Sequence, residues 1–157
     1  MAERKPTPIA KVYEALSAVA DKRVTFPADQ PGEALVTSSD GSKQYTVRFG
    51  DGFYSSNDNA TYWQHYAGYP IVAVLIEQHK IGLPSGSDNL VQAFAGVNWK
   101  KLNTQYKNDY AKSTADFLTT VDDPKPVKKL VRIVADQLGA LDFTVKGNRA
   151  QMRHPEQ

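Results

Sequence analysis

FYSSNDNATYWQHYAGYPIVAVLIEQHKI, Phe53 to Ile81, is the stretch whose reading decides the fold. Its first half places Phe53, Tyr54, Tyr62, Trp63, Tyr66 and Tyr69 around a polar knot, Ser55-Ser56-Asn57-Asp58-Asn59, with His65 in the same run. Its second half opens on Pro70, and Ile71, Val72, Val74, Leu75 and Ile76 surround most of a helix. Apolar residues on nearly every side of a helix mean a buried, central one. The run is too short for a bilayer, which needs about 20 residues. The chain therefore changes here from strands to helices. Asn57, Asp58 or Asn59 can cap a short helix carrying Tyr62, Trp63 and Tyr66, which Gly68 ends. A helix of about two turns must bury something to persist, so at least two of those three aromatics are expected in the core.

Upstream, Thr7-Pro8 reads as an N-cap and first-turn proline. Ile9, Val12, Tyr13, Leu16, Val19 and Ala20 then recur at helical spacing, an amphipathic helix to about Asp21. From Arg23 the period becomes two. Arg23–Phe26 and Glu33–Ser39 read as strands, Asp40-Gly41 as a hairpin turn, and Tyr45, Val47 and Phe49 alternate with polar residues. Gly50-Asp51-Gly52 turns the chain into Phe53–Ser55, completing an antiparallel meander.

Downstream, Ser87 opens a short helix through Phe94. Trp99, Leu102, Tyr106, Tyr110, Phe117 and Val121 fall on one side when residues are placed 100° apart, so the spacing predicts one helix over 99–121. Asp123 and Pro124 start the last helix, with Val127, Leu130, Val131, Val134 and Leu138 as its stripe. Phe143–Val145 reads as a terminal strand. The fold class is α+β: an N-terminal helix, a small antiparallel meander, then helices packed on one face of the sheet. One domain is expected over 1–157, with 1–6 and 148–157 as frayed tails.

At 157 residues, 41% hydrophobic and 23% charged, the composition is that of a globular chain rather than a disordered one. A formal charge of +2 identifies no partner by itself. The excess is uneven: residues 1–80 carry 8 Lys/Arg against 9 Asp/Glu, residues 81–157 carry 11 against 8. There is no cysteine, which removes disulfides and thiolate chemistry and fits a reducing, cytoplasmic location. Neither a secretory signal nor a spanning helix is read, and no membrane partner is expected.

No Gly-x-Ser-x-Gly elbow, His-Glu-x-x-His, Walker loop or Gly-x-Gly-x-x-Gly occurs, so neither an enzyme nor a cofactor is expected from motif. Three function classes follow. The first is a non-catalytic binding module whose contact surface includes Asn57, Asp58, Asn59, Tyr62, Trp63 and His65. A planar ligand, a sugar or a partner side chain would sit on Trp63 or Tyr62 while amides or His65 orient it. Asp58 opposes an anionic ligand there. The second is weak, sequence-indifferent nucleic-acid binding by Lys128, Lys129 and Arg132, with Lys100 and Lys107, at a salt slope of about −3. The third is a hydrolase or nuclease that brings His65 and His79 together with Asp58. Ordinary capping accounts for the knot more simply than ligand binding does, and lysines on a helix are usually a solvated face.

Overall fold

The computed structural model describes residues 4–155. Seven helices and five strands follow the order α1 (Ile9–Ala20), β1 (Val24–Thr25), β2 (Glu33–Thr37), β3 (Gln44–Gly50), β4 (Phe53–Ser56), α2 (Asn59–Gln64), α3 (Tyr69–Glu77), α4 (Asp88–Gln92), α5 (Trp99–Gln105), α6 (Tyr110–Leu118), α7 (Pro124–Ala140) and β5 (Thr144–Gly147). The expected α+β class holds. The first four strands form the antiparallel meander in chain order, with Val36 opposite Tyr45 and Arg48 opposite Ser55. β5 then joins β4 in parallel, pairing Tyr54 with Val145, so the five-stranded sheet is mixed.

α3 is the buried spine that the apolar run implies. Every residue from Pro70 to Ile76 is buried, and the helix packs on the sheet on one side and on α1 on the other. Pro70 sits in its first turn, where a missing N–H costs nothing. The core closes at its far side with Tyr13, Phe94, Trp99 and Phe117, whose rings meet at centroid separations of 5.1–6.2 Å. Edge and offset contacts of this kind add to area burial.

The structure departs from the sequence reading in five places. α1 is not amphipathic in its surroundings: Lys11, Glu14 and Ser17 are buried along with the apolar side. Thr7 does not cap it; its hydroxyl donates to the Ala67 carbonyl at 2.9 Å. The single helix over 99–121 is instead α5 and α6. Lys107 and Asn108 break it with φ of 53° and 64°, a left-handed pair, and the Asp109 side chain caps α6 by accepting from Lys112 N. Asn108 tolerates left-handed backbone and Asp109 offers a cap, and this outweighs the continuous stripe. α2 ends at His65, in left-handed conformation at φ 61°, rather than at Gly68.

The fifth departure concerns the ends. Residues 1–3 and 156–157 lie outside the described residues, but the neighbouring segments are tied down, not frayed. The Arg4 guanidinium donates to the Leu138, Leu141 and Phe143 carbonyls at the end of α7 and lies 4.0 Å over the Phe143 ring. Asn148 Nδ2 donates to the Thr46 carbonyl, the Ala150 carbonyl accepts from Asn57 Nδ2, and Arg153 pairs with Gln44. A polar tail finds partners here because it runs beside sheet carbonyls that need donors.

Leu75 is 1% exposed at the centre of α3. Leu75→Ala is expected to lower stability by about 2–5 kcal/mol. Chemical denaturation reads this directly, and an unchanged midpoint would remove α3 from its role as spine.

Candidate functional site

Lys11, Glu14 and Ser17 recur at three-residue intervals on α1 and so share a face. α5 and α6 lie over that face. Trp99 Nε1 donates to Ser17 Oγ at 2.7 Å, Asn103 Nδ2 donates to Glu14 Oε1 at 3.5 Å, and Lys11 Nζ lies 4.4 Å from the Tyr110 ring centroid. Lys11 Nζ also stands 3.2 Å from Glu14 Oε2. The two side chains are 10% and 9% exposed, so this is a buried ion pair. Burial alone pulls the Lys11 ammonium down, but Glu14 and Tyr110 more than reverse it, leaving the group above its ordinary value. Burial pushes the Glu14 carboxyl up; Lys11 opposes this and Asp58 adds to it.

Around this pair opens a cavity of about 530 Å³, bounded by α1, α2, the β2–β3 hairpin, α5 and the break before α6. Four further charged side chains line it: Arg23, Lys43, Asp58 and Lys100. Arg23, just past α1, donates from Nε to Asp21 Oδ2 at 3.3 Å and from Nη1 to the Thr37 carbonyl at 2.6 Å, while its buried Nη2 has no protein partner. Asp58 caps α2 by accepting from Thr61 N through Oδ2 at 3.1 Å, yet its buried Oδ1 has none. Asp58 is held tightly: a Cβ on Gly68 would collide with its carboxylate and with Thr61 Oγ1, so only glycine fits there. Glu14 Oε2 faces Lys11 without an aligned hydrogen bond.

Tyrosines make much of the wall. Tyr45 and Tyr69 meet edge to face at 6.0 Å. Burial, with Asp58 and Glu14 adding, pushes the Tyr45 hydroxyl up to about 12, and burial beside Tyr45 moves Tyr69 further the same way. Both stay neutral near pH 7. At the mouth, Lys100 Nζ pairs with Asp40 at 3.2 Å. Slight burial pushes the Asp40 carboxyl up, but hydrogen bonds from Ser42, Ser38 and Lys100 hold it well below the usual range.

Of the residues singled out from sequence, Asp58, Asn59, Trp63 and Lys100 line the cavity. Trp63 is 67% exposed at its rim, Tyr62 and Tyr66 are half-buried, and none of the three belongs to the core. The expected core use of two of them is therefore wrong. The Asp58 cap and the packing of the Tyr62 ring on Gly147 of β5 hold α2 instead. Asn57 is a clamp between strand and tail: its Oδ1 accepts from Thr46 N at 2.9 Å. His65 and His79 are exposed near opposite ends of α3, whose nine residues span about 13 Å, and neither lines the cavity. Lys107 lies on the α5–α6 break, and Lys128, Lys129 and Arg132 form an exposed face of α7 away from the cavity lining. Among the described residues no three His, Asp or Glu side chains are placed to hold a metal ion, and no helix is long and apolar enough to cross a membrane.

Sequence reasoning missed Lys11, Glu14, Arg23, Tyr45, Tyr69 and Tyr110. The available signal was the Lys11-Glu14-Ser17 spacing, together with an aromatic stripe over 99–117 that needed a face to cover.

This chain belongs to the family described as "Uncharacterised conserved protein UCP014422", whose model matches residues 4–144. That span holds every residue lining the cavity. No curated protein and no solved structure matches the chain.

The ion pair gives a sharp expectation. Glu14→Gln strands the Lys11 ammonium in a buried place and is expected to destabilise the fold by about 3–5 kcal/mol, whereas Lys11→Met with Glu14→Leu is expected to be neutral or stabilising. Glu14 also has a pH signature. Its carboxyl holds its proton more tightly folded than unfolded, so its contribution favours the fold below the ordinary value of 4.5 and is lost as pH rises through the folded value. Denaturation midpoints across pH 4 to 8 should show this component in the parent and not in the double variant. Equal loss in single and double variants would mean that the pair is not the dominant interaction at this face.

Proposed function

We propose that this protein is a cytoplasmic, non-catalytic binding module that holds a small polar ligand in the cavity beneath α5. The observation that carries this reading is one coincidence of place. Two buried polar atoms of charged side chains without a protein partner, Arg23 Nη2 and Asp58 Oδ1, belong to side chains lining the same cavity, beside the buried Lys11–Glu14 pair. Buried polar groups are nearly always satisfied, and leaving a charged one unmatched costs folding free energy. A concentration of such groups beside an aromatic wall is what a ligand site requires and what a packed core avoids. The contact surface read from sequence at Ser55–Tyr66 thus contributes Asp58, Asn59 and Trp63 to the lip of a deeper pocket. The cysteine-free composition supports the reducing compartment.

The nucleic-acid alternative rests on Lys128, Lys129 and Arg132, a solvated face of α7 with no aromatic partner among its side chains. Its expected signature is weak heparin retention that vanishes with modest salt.

Trp63→Ala separates lip from core. Stability should stay within about 0.5 kcal/mol, as for an exposed residue away from special features. Native mass spectrometry of protein isolated under mild conditions should show a small bound molecule in the parent. That molecule should be reduced by Trp63→Ala and displaced when Ala60→Trp obstructs the cavity. A parent protein with no retained mass, and no thermal shift across a metabolite library, would overturn the binding-module reading.

A further inference from the structure

The charges around the cavity go beyond saying that a ligand binds; they restrict which kind. Lys11 is matched by Glu14, Arg23 is bridged by Asp21, and Lys100 by Asp40. Lys43, the other cation of the lining, is only partly buried. Among the buried polar atoms, what remains is a pair of unmet demands of opposite sign. Arg23 Nη2 is a buried cationic donor, and Asp58 Oδ1, on a side chain 5% exposed, is a buried anionic acceptor. Although both side chains line one cavity, they form no ion pair with each other. Glu14, whose Oε2 is held by Lys11 Nζ at 3.2 Å, adds negative charge beside Asp58 without being unmatched itself.

A ligand of single charge would meet one demand and leave the other buried. A neutral polyol could hydrogen-bond to both groups while compensating neither charge. An ammonium has three donors, enough for Asp58 and neighbouring hydroxyls, and a carboxylate accepts the free guanidinium N–H. Each resulting bond is charge-assisted, the stronger kind. The walls suit the cationic end too, because neutral tyrosine faces attract an ammonium, as Lys11 already shows over Tyr110.

Resting on the ligand-site reading above, we propose that the cavity takes a small zwitterion, an amino-acid-like molecule whose ammonium meets Asp58, beside the Lys11–Glu14 pair, and whose carboxylate meets Arg23. Asp58 and Arg23 are its specificity determinants.

The test follows thermal unfolding of the full chain with the twenty standard α-amino acids, β-alanine and 4-aminobutyrate. Acetate, methylammonium and glucose serve as the single-charge and neutral controls. At least one zwitterion should raise the midpoint, by about 5–10 °C at a hundredfold excess over its Kd, and the controls should not. Calorimetric affinity for that zwitterion should fall about 10–100-fold in Asp58→Asn and in Arg23→Lys. Asp58→Asn keeps an amide oxygen for Thr61 N, so its unliganded midpoint should match or exceed the parent's. If that variant fails to fold by circular dichroism, Arg23→Lys carries the comparison alone. Three results would each overturn the proposal: no zwitterion shifts the midpoint, glucose shifts it in their place, or zwitterion affinity survives both substitutions. The second of these leaves the cavity as a ligand site and removes only the ligand class. Failure of the site itself is read separately, from the retained-mass experiment.

Discussion

The covering of α1's polar face is the constraint on which the rest of this structure turns. Lys11, Glu14 and Ser17 could have faced water at no cost, but Trp99, Asn103 and Tyr110 lie over them instead. Removing a lysine and a glutamate from water costs several kcal/mol per ion, and their mutual attraction repays it only with good geometry and added hydrogen bonds. The fold supplies part of that: one close but unaligned ion pair, one amide and one ring face. It does not supply all of it, since Glu14 keeps an oxygen without an aligned partner. Everything else about the site follows from this incomplete cover. The cavity opens beside this partly covered face.

The break between α5 and α6 belongs to the same constraint. A continuous helix through 99–121 would carry Trp99 and Tyr110 on one straight stripe. With Lys107 and Asn108 in left-handed backbone, the roof bends. Trp99 then seals Ser17 and packs on Tyr13 and Phe117, while Tyr110 turns to the ammonium of Lys11. Left-handed backbone at two consecutive non-glycine residues costs about 1–2 kcal/mol each. The aromatic packing and the covered ion pair hold the bend in place, helped by the Tyr106 hydroxyl, which donates across it to Asp116.

What was legible in the sequence, and what was not, divides along the same line. The α3 spine and the four-strand meander were readable because apolar periodicity reports burial directly, whatever the partner. The last helix was readable because Asp123 and Pro124 mark its start locally. The site was not, because hydropathy assigns Lys11, Glu14 and Ser17 to water, and only contacts made across the roof reverse that. Trp63 failed for the mirror-image reason: a tryptophan on a six-residue helix looks like the anchor the helix needs, yet Tyr62 on Gly147 and the Asp58 cap already do that work. The anchored tail at Asn148 and Arg153 was hidden because its partners are backbone groups of strands about a hundred residues earlier. Asp58 was the half-visible case, identified as a cap and as a negative charge without any means of seeing that both properties are buried together.

That double character of Asp58 bears on function more than any other residue does. As an N-cap, asparagine or serine would serve about as well as aspartate. Stability therefore does not select a carboxylate here, and the surroundings select against one: the side chain is 5% exposed, it lies near enough to Glu14 to disfavour ionisation there, and its Oδ1 has no donor. The glycine at position 68 deepens the point, because the chain gives up a side chain there so that Asp58 can sit where it does. What a carboxylate offers that an amide does not is a full negative charge for an incoming cation. Arg23, on the same cavity, is its counterpart, a guanidinium bonded through Nε and Nη1 and buried without a partner at Nη2. A structure that leaves one charge of each sign unmet on the same cavity, each held by hydrogen bonds to its neighbours, has the preorganisation that recognition of a doubly charged small molecule demands.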